Sequence, residues 1–138
     1  MIALYPIKPI YTDKILSGDK KYELRKRLPD AETKYILIYS TSPVGKVVGY
    51  AQIRAFHKRS VDSLWQLVSG LSGIDEKSYL EYFNNSDEAC AIEFDCVYKF
   101  ARPFSVKEIR STMSVPQSFC YVSQHDFSRI RRRKSTSV

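Results

Sequence analysis

The stretch ACAIEFDCVYKF (residues 89–100) alternates apolar and polar side chains, with Ile92, Phe94, Cys96, Tyr98 and Phe100 on one side and Glu93, Asp95 and Lys99 on the other. A period of two over that length belongs to a strand with one face turned inward. Such a strand needs partners, and the chain supplies several. YILIYST (35–41) is apolar on both faces, the pattern of a central strand. KVVGYAQIRAFHK (46–58) is longer and contains Gly49, where a bulge or a close backbone approach fits. IALYPI (2–7) reads as a short strand, and Ser42 to Gly45 as a turn. KKYELRKR (20–27) puts Tyr22 and Leu24 on one face and Lys21, Glu23, Arg25 and Arg27 on the other, predicting a half-buried strand with a charged, solvated outer face.

Helical spacing occupies the gaps. Pro9 to Ser17 forms a brief helix with proline in its first turn, Tyr11 and Ile15 four apart, and Gly18 as its stop. Val61, Leu64, Trp65, Val68 and Leu71 recur at helical intervals behind Ser60 as N-cap, and a second helix spans Asp75 to Asn84. Beyond Pro103 the spacing predicts a helical turn at 106–110, a short strand at 118–122 and a closing helix from about Ser123. The order β-α-β-β-β-α-α-β-(β)-α, with short connections, predicts an α+β domain of mostly antiparallel strands curled into a small β-barrel with flanking helices. The expected division is a domain over 1–128 and a flexible basic tail over 129–138.

Composition narrows the class. With 43% apolar residues the chain lies far from the disordered range. No apolar run approaches the roughly 20 residues that span a bilayer, and the start carries no pattern of a leader. Cys90 and Cys96 share one strand and are too far apart to bridge, Cys120 has no C-x-x-C partner, and His57 and His125 are remote in sequence. The expectation is a reduced, cytoplasmic domain that uses neither metal nor cofactor. The net charge of +7 is unevenly spread: 129–138 carries five positive charges and no acid, residues 20–59 hold 10 basic against 3 acidic groups, and residues 61–95 hold 1 against 8. If the fold keeps these segments apart, one face suits phosphates.

SGDKKYELRKR (17–27) is the segment best equipped for chemistry. A carboxylate, Glu23, stands two residues from both Lys21 and Arg25, so the strand can hold an anion while the acid orients a donor. A lysine here, Lys20 or Lys21, becomes a general base if its pKa is depressed. The blander account is a row of cross-strand ion pairs on a wet face, each contributing about 0–1 kcal/mol. His57 at a strand end and Trp65 on an apolar helix face suit structural roles, and Ser118 lacks an identifiable base. The basic tail suits either phosphate contact or simple solvation.

Gly18, Lys20, Glu23 and Arg25 reproduce the G-x-K-x-x-E-x-R signature of the ASCH domain family, placed after a first strand and short helix. The lead YPIKPIYTDKILSG, the turn TSPVGKVVG and the late element VPQSFCYV (115–122) also resemble bacterial and phage ASCH proteins. The resemblance reaches to about residue 128. It implies a PUA-like barrel, related to PUA, YTH and EVE domains, with a cleft between barrel and helices that takes RNA or a modified nucleotide. Many family members are described as transcriptional regulators. Carried over, Lys20, Glu23 and Arg25 are site candidates and Gly18 shapes the approach. Lys8, Lys21, Arg27, Ser42, Gln117, Ser118 and Tyr121 are further binding candidates from the residues themselves. If the protein is an enzyme, Lys20 and Glu23 are its expected catalytic pair, as a ribonuclease or a hydrolase of N4-acetylcytidine. The deacetylating branch resembles this chain but has a nucleophilic threonine where Glu23 stands. A carboxylate activates water and cannot form the same acyl-oxygen intermediate, so the substitution weighs against that activity.

Overall fold

The computed structural model describes residues 1–138. In chain order the elements are β1 (Ile2–Ile7), α1 (Pro9–Ser17), β2 (Tyr22–Arg25), β3 (Tyr35–Ser40), β4 (Lys46–Ser60), α2 (Val61–Val68), α3 (Glu76–Tyr82), β5 (Glu88–Phe104), β6 (Cys120–Val122), α4 (Gln124–Arg131) and β7 (Ser135–Ser137), with a 3-10 turn at Val106–Glu108. Seven strands form one sheet in the order β2-β5-β4-β3-β1-β6, and β7 adds to β5. All pairings are antiparallel except β1 with β3. The mixed α/β class agrees with the sequence, but the expected barrel does not close. The terminal strands β2 and β6 hold only four and three residues and share no ladder. Side chains, not strand pairing, bridge the gap between these ends.

Helices cover both faces of the sheet. On one, α1 packs Ile15 against Ala3, Tyr5, Ile36, Ile38 and Ile92. On the other, α4 packs Phe127 and Ile130 against Leu4, Leu37, Tyr50 and Phe100. A third cluster joins Tyr22 and Leu24 of β2 to Leu64, Val68, Tyr79 and Phe83 of α2 and α3. The alternation in 89–100 therefore does not feed a single inner face. Ile92 and Phe94 enter the α1 core, whereas Phe100, with Tyr98 packed beside it, enters the α4 core. The ladder explains the switch: Ala51 pairs with Val97 and Ile53 with Phe94, two steps on β4 against three on β5. The extra residue is a bulge, and it reverses the facing of everything beyond it.

The basic and acidic segments are not held apart. Where they run through β4 and β5, neighbours in the sheet, their side chains meet as Arg54–Asp95 (2.7 Å), His57–Glu93 (2.8 Å) and Lys58–Glu88 (3.7 Å). Nor does the chain leave the fold at 128. That boundary falls within α4, whose Phe127 and Ile130 extend the core, and β7 pairs with β5. Arg131 lies over the Tyr35 ring at 4.8 Å, and Arg133 stacks on Phe104 at 4.2 Å while bonding Glu108 at 3.0 Å. These side chains give the basic segment partners that its charge alone did not foretell.

Gly49 marks a close approach, as its place in the strand predicts. A β-carbon there would run into the Tyr98 carbonyl oxygen and stand 3.1 Å from Leu16 of α1. Gly49→Ala should thus destabilise the fold by about 1–3 kcal/mol, the cost of overpacking, seen as a lower urea midpoint. An unchanged midpoint would mean that the β4–β5 ladder yields more easily than its geometry indicates.

Candidate functional site

α1 stops at Gly18, whose φ of 88° lets its N–H turn back to the Ile15 carbonyl. The chain reverses there, and Lys20 is tied to α1 through its N–H on the Lys14 carbonyl (3.0 Å). Lys21 then bonds the Leu71 carbonyl and receives the Phe94 N–H, which fixes the start of β2 beside β5. The strand's alternation sends Tyr22 and Leu24 to the α2–α3 core, as predicted. It sends Glu23 and Arg25 the other way, but that face is not solvated. Glu23 is 6% exposed and Lys20 4%, and the Arg25 side chain only 16%.

The three charges form a compact cluster. The Glu23 carboxylate accepts from Arg25 Nε at 3.0 Å and lies 3.5 Å from Lys20 Nζ. Lys20 Nζ donates to the Ser72 carbonyl at 2.6 Å, while Lys14 Nζ reaches the adjacent Gly73 carbonyl at 2.8 Å. Arg25 donates to the Pro6 carbonyl at 2.9 Å and makes a longer contact, 3.5 Å, with the Ser118 carbonyl. Its guanidinium lies over the Tyr5 ring at 4.8 Å, and Tyr5 stacks on Phe119. Arg25 thereby joins β2 to β1 and to the segment before β6. Removing one member of a buried ion cluster costs about 3–5 kcal/mol because its partner charge stays buried. The small value expected for a wet ion-pair row does not apply.

This cluster lines a cleft of about 570 Å³. Pro6, Lys8 and Tyr11 border it from β1 and α1, and Ser78, Glu81 and Tyr82 from α3. Lys8, Lys20, Glu23 and Arg25 are thus brought together around one cleft. Ser118 touches the cluster from outside through its carbonyl. Tyr121 is exposed and its hydroxyl accepts the Asp30 N–H, so it stands aside from the cleft lining. Gly18 and Lys21 border a separate small hollow with Val138. Arg27, Ser42 and Gln117 are exposed and line neither recess, Ser42 lying in the β3–β4 turn. The α3 wall escaped the sequence reading. Its signal was faint: Ser78, Glu81 and Tyr82 stand at i, i+3 and i+4, one face of a helix that otherwise reads as core.

Burial drives the Lys20 pKa down from its ordinary value, and the Glu23 carboxylate opposes that shift without cancelling it. The cleft therefore holds an amine inclined to give up its proton. Burial also pushes the Tyr5 hydroxyl pKa up, and that hydroxyl has no hydrogen-bond partner. The lysine shift fixes the sign of a stability change. Between the lowered Lys20 value and the ordinary 10.5, the unfolded chain binds the extra proton, so stability is lowest below this window and rises with pH through it. Chemical denaturation across alkaline pH should show that rise in the native protein and a flatter profile in Lys20→Met. Equal slopes would contradict the lysine's depressed proton affinity.

With the geometry defined, its relatives can be placed. The ASCH domain family model matches residues 6–98, from the cleft-lining Pro6 through the end of the motif strand's partner region. An ASCH domain-containing ribonuclease of Zymomonas mobilis is 30% identical over 132 residues, covering 93% of this chain and 88% of that protein. The crystal structure of ASCH from Zymomonas mobilis superposes with a TM-score of 0.84 at 28% identity, covering 94% of this chain and 93% of that one. The N-terminal domain of Staphylothermus marinus McrB shares the fold at a TM-score of 0.63 and 12% identity, covering 96% and 94%. The signature Gly18, Lys20, Glu23, Arg25, the cleft it lines and these matches lead to one assignment: the chain belongs to the ASCH domain family.

Proposed function

We propose that the cleft binds RNA, holding phosphate with Lys8 and Arg25 and a base between Tyr11 and Tyr82. The observation that carries this is the convergence of Lys8, Lys20 and Arg25 with two partly exposed tyrosines around one recess. Cations hold the backbone, and aromatic rings stack bases from single strands. The ribonuclease from Zymomonas mobilis, similar over most of both chains, supports RNA as the ligand class.

Lys20 favours a second step, cleavage of the bound strand. In this reading the neutral Lys20 amine takes the proton from a ribose 2′-OH. The 2′-oxygen bonds to the adjacent phosphorus, and the P–O5′ bond breaks. The departing 5′-oxygen then receives a proton from the Lys20 ammonium, which restores the amine. The products are a 2′,3′-cyclic phosphate and a free 5′-hydroxyl. Arg25 stabilises the negative charge that gathers on the phosphoryl oxygens, and Glu23 holds Arg25 and Lys20 in place.

Titrating labelled single-stranded RNA at about 50 and 200 mM salt tests the binding. Affinity should fall with salt and weaken in Arg25→Lys, which keeps the charge but loses the fork. Absence of binding even at the lower salt would sink the proposal. For cleavage, cyclic-phosphate products should vanish in Lys20→Met and on 2′-fluoro RNA. Product persisting on 2′-fluoro RNA would rule out attack by the 2′-oxygen.

A further inference from the structure

The α3 wall of the cleft differs in chemistry from the rest. Ser78, Glu81 and Tyr82 share one helical face, and all three border the recess. The carboxylates engaged in ion pairs are Glu23, Glu88, Glu93, Asp95, Glu108 and Asp126. Glu81 is not among them, and it is solvent-exposed. Tyr82 beside it is 38% exposed, with Lys26 over its ring at 5.2 Å. A free carboxylate next to a partly exposed aromatic ring opposes phosphate on its own side of the recess. It accepts hydrogen bonds from donor groups instead.

On the reading that the cleft binds RNA, we propose that Glu81 selects the base, favouring those that present an exocyclic amino group over uracil. The ligand then has a fixed orientation. Its phosphate lies toward Lys8 and Arg25, away from Glu81, and its base stacks on Tyr82 with the donor edge turned to the carboxylate. Cytosine offers its N4 amino group and adenine its N6 amino group to such an acceptor. Uracil presents a carbonyl at the corresponding position, which the carboxylate repels. Ser78, one turn earlier, can donate or accept and so assists without discriminating.

Fluorescence polarisation with 2′-fluoro octamers of cytidine, adenosine and uridine tests this with the full chain, since these strands lack the nucleophile for cleavage. The native protein should bind the cytidine and adenosine strands roughly tenfold tighter than the uridine strand. Glu81→Gln can present either an acceptor or a donor, and it should bring the ratio down to about threefold or less by raising uridine affinity. Glu81→Ala should lower the cytidine and adenosine affinities toward that of uridine. Thermal melts of both variants verify that they remain folded. A preference ratio unchanged in both variants, with Arg25→Lys still weakening all three strands, would overturn the role of Glu81 and leave RNA binding standing. No binding of any strand by the native protein would overturn both.

Discussion

The buried cluster of Lys20, Glu23 and Arg25 organises this molecule, because a sheet with two short terminal strands has no ladder of its own to hold its ends. Glu23, only 6% exposed, lies between two basic side chains, 3.5 Å from Lys20 Nζ and 3.0 Å from Arg25. Each of these basic side chains also donates to backbone. Lys20 fixes the α2–α3 connection through Ser72, and Arg25 fixes β1 through Pro6. One carboxylate therefore sets the relation between three parts of the chain that ordinary hydrogen-bonded ladders leave apart. The same contacts line the cleft, so the fold's support and the cleft wall are a single construction.

Much of this organisation was legible in the sequence. Period-two runs located the strands, helical spacing located α1 to α3, and a stop glycine followed by K-x-x-E-x-R marked the residues that line the cleft. Their phase was right as well, with Tyr22 and Leu24 facing one way and Glu23 and Arg25 the other. What the residues concealed was the environment of the second face. Alternation separates charged from apolar sides, but it carries no information on whether another element lies over the charged one. Here α1 and the end of β1 do, and a face expected to be wet became the floor of a recess.

The other differences share a cause. The bulge between Phe94 and Val97, the pairing of β7 and the clamps on Arg131 and Arg133 depend on what lies opposite, and a single chain's local pattern is silent on that. Ser135–Ser137 has no apolar alternation and pairs through its backbone. Basic residues after α4 resemble a solvated end until aromatic rings are found beneath them. The segregation of charge along the sequence misled for a related reason. The two segments run in part through adjacent strands, where Asp95, Glu93 and Glu88 of β5 meet Arg54, His57 and Lys58 of β4.

The bulge between Phe94 and Val97 has a consequence for how the two cores relate. A single strand serves both, first as one wall of the α1 side and then of the α4 side, and the extra residue is the switch between these duties. Without it, Phe100 and the tyrosine before it would point toward α1, and the α4 core would lose an aromatic wall. A one-residue deletion at 95 or 96 would thus act less like the loss of a side chain than like a frameshift in three dimensions, reassigning every later residue of β5 to the opposite side of the sheet.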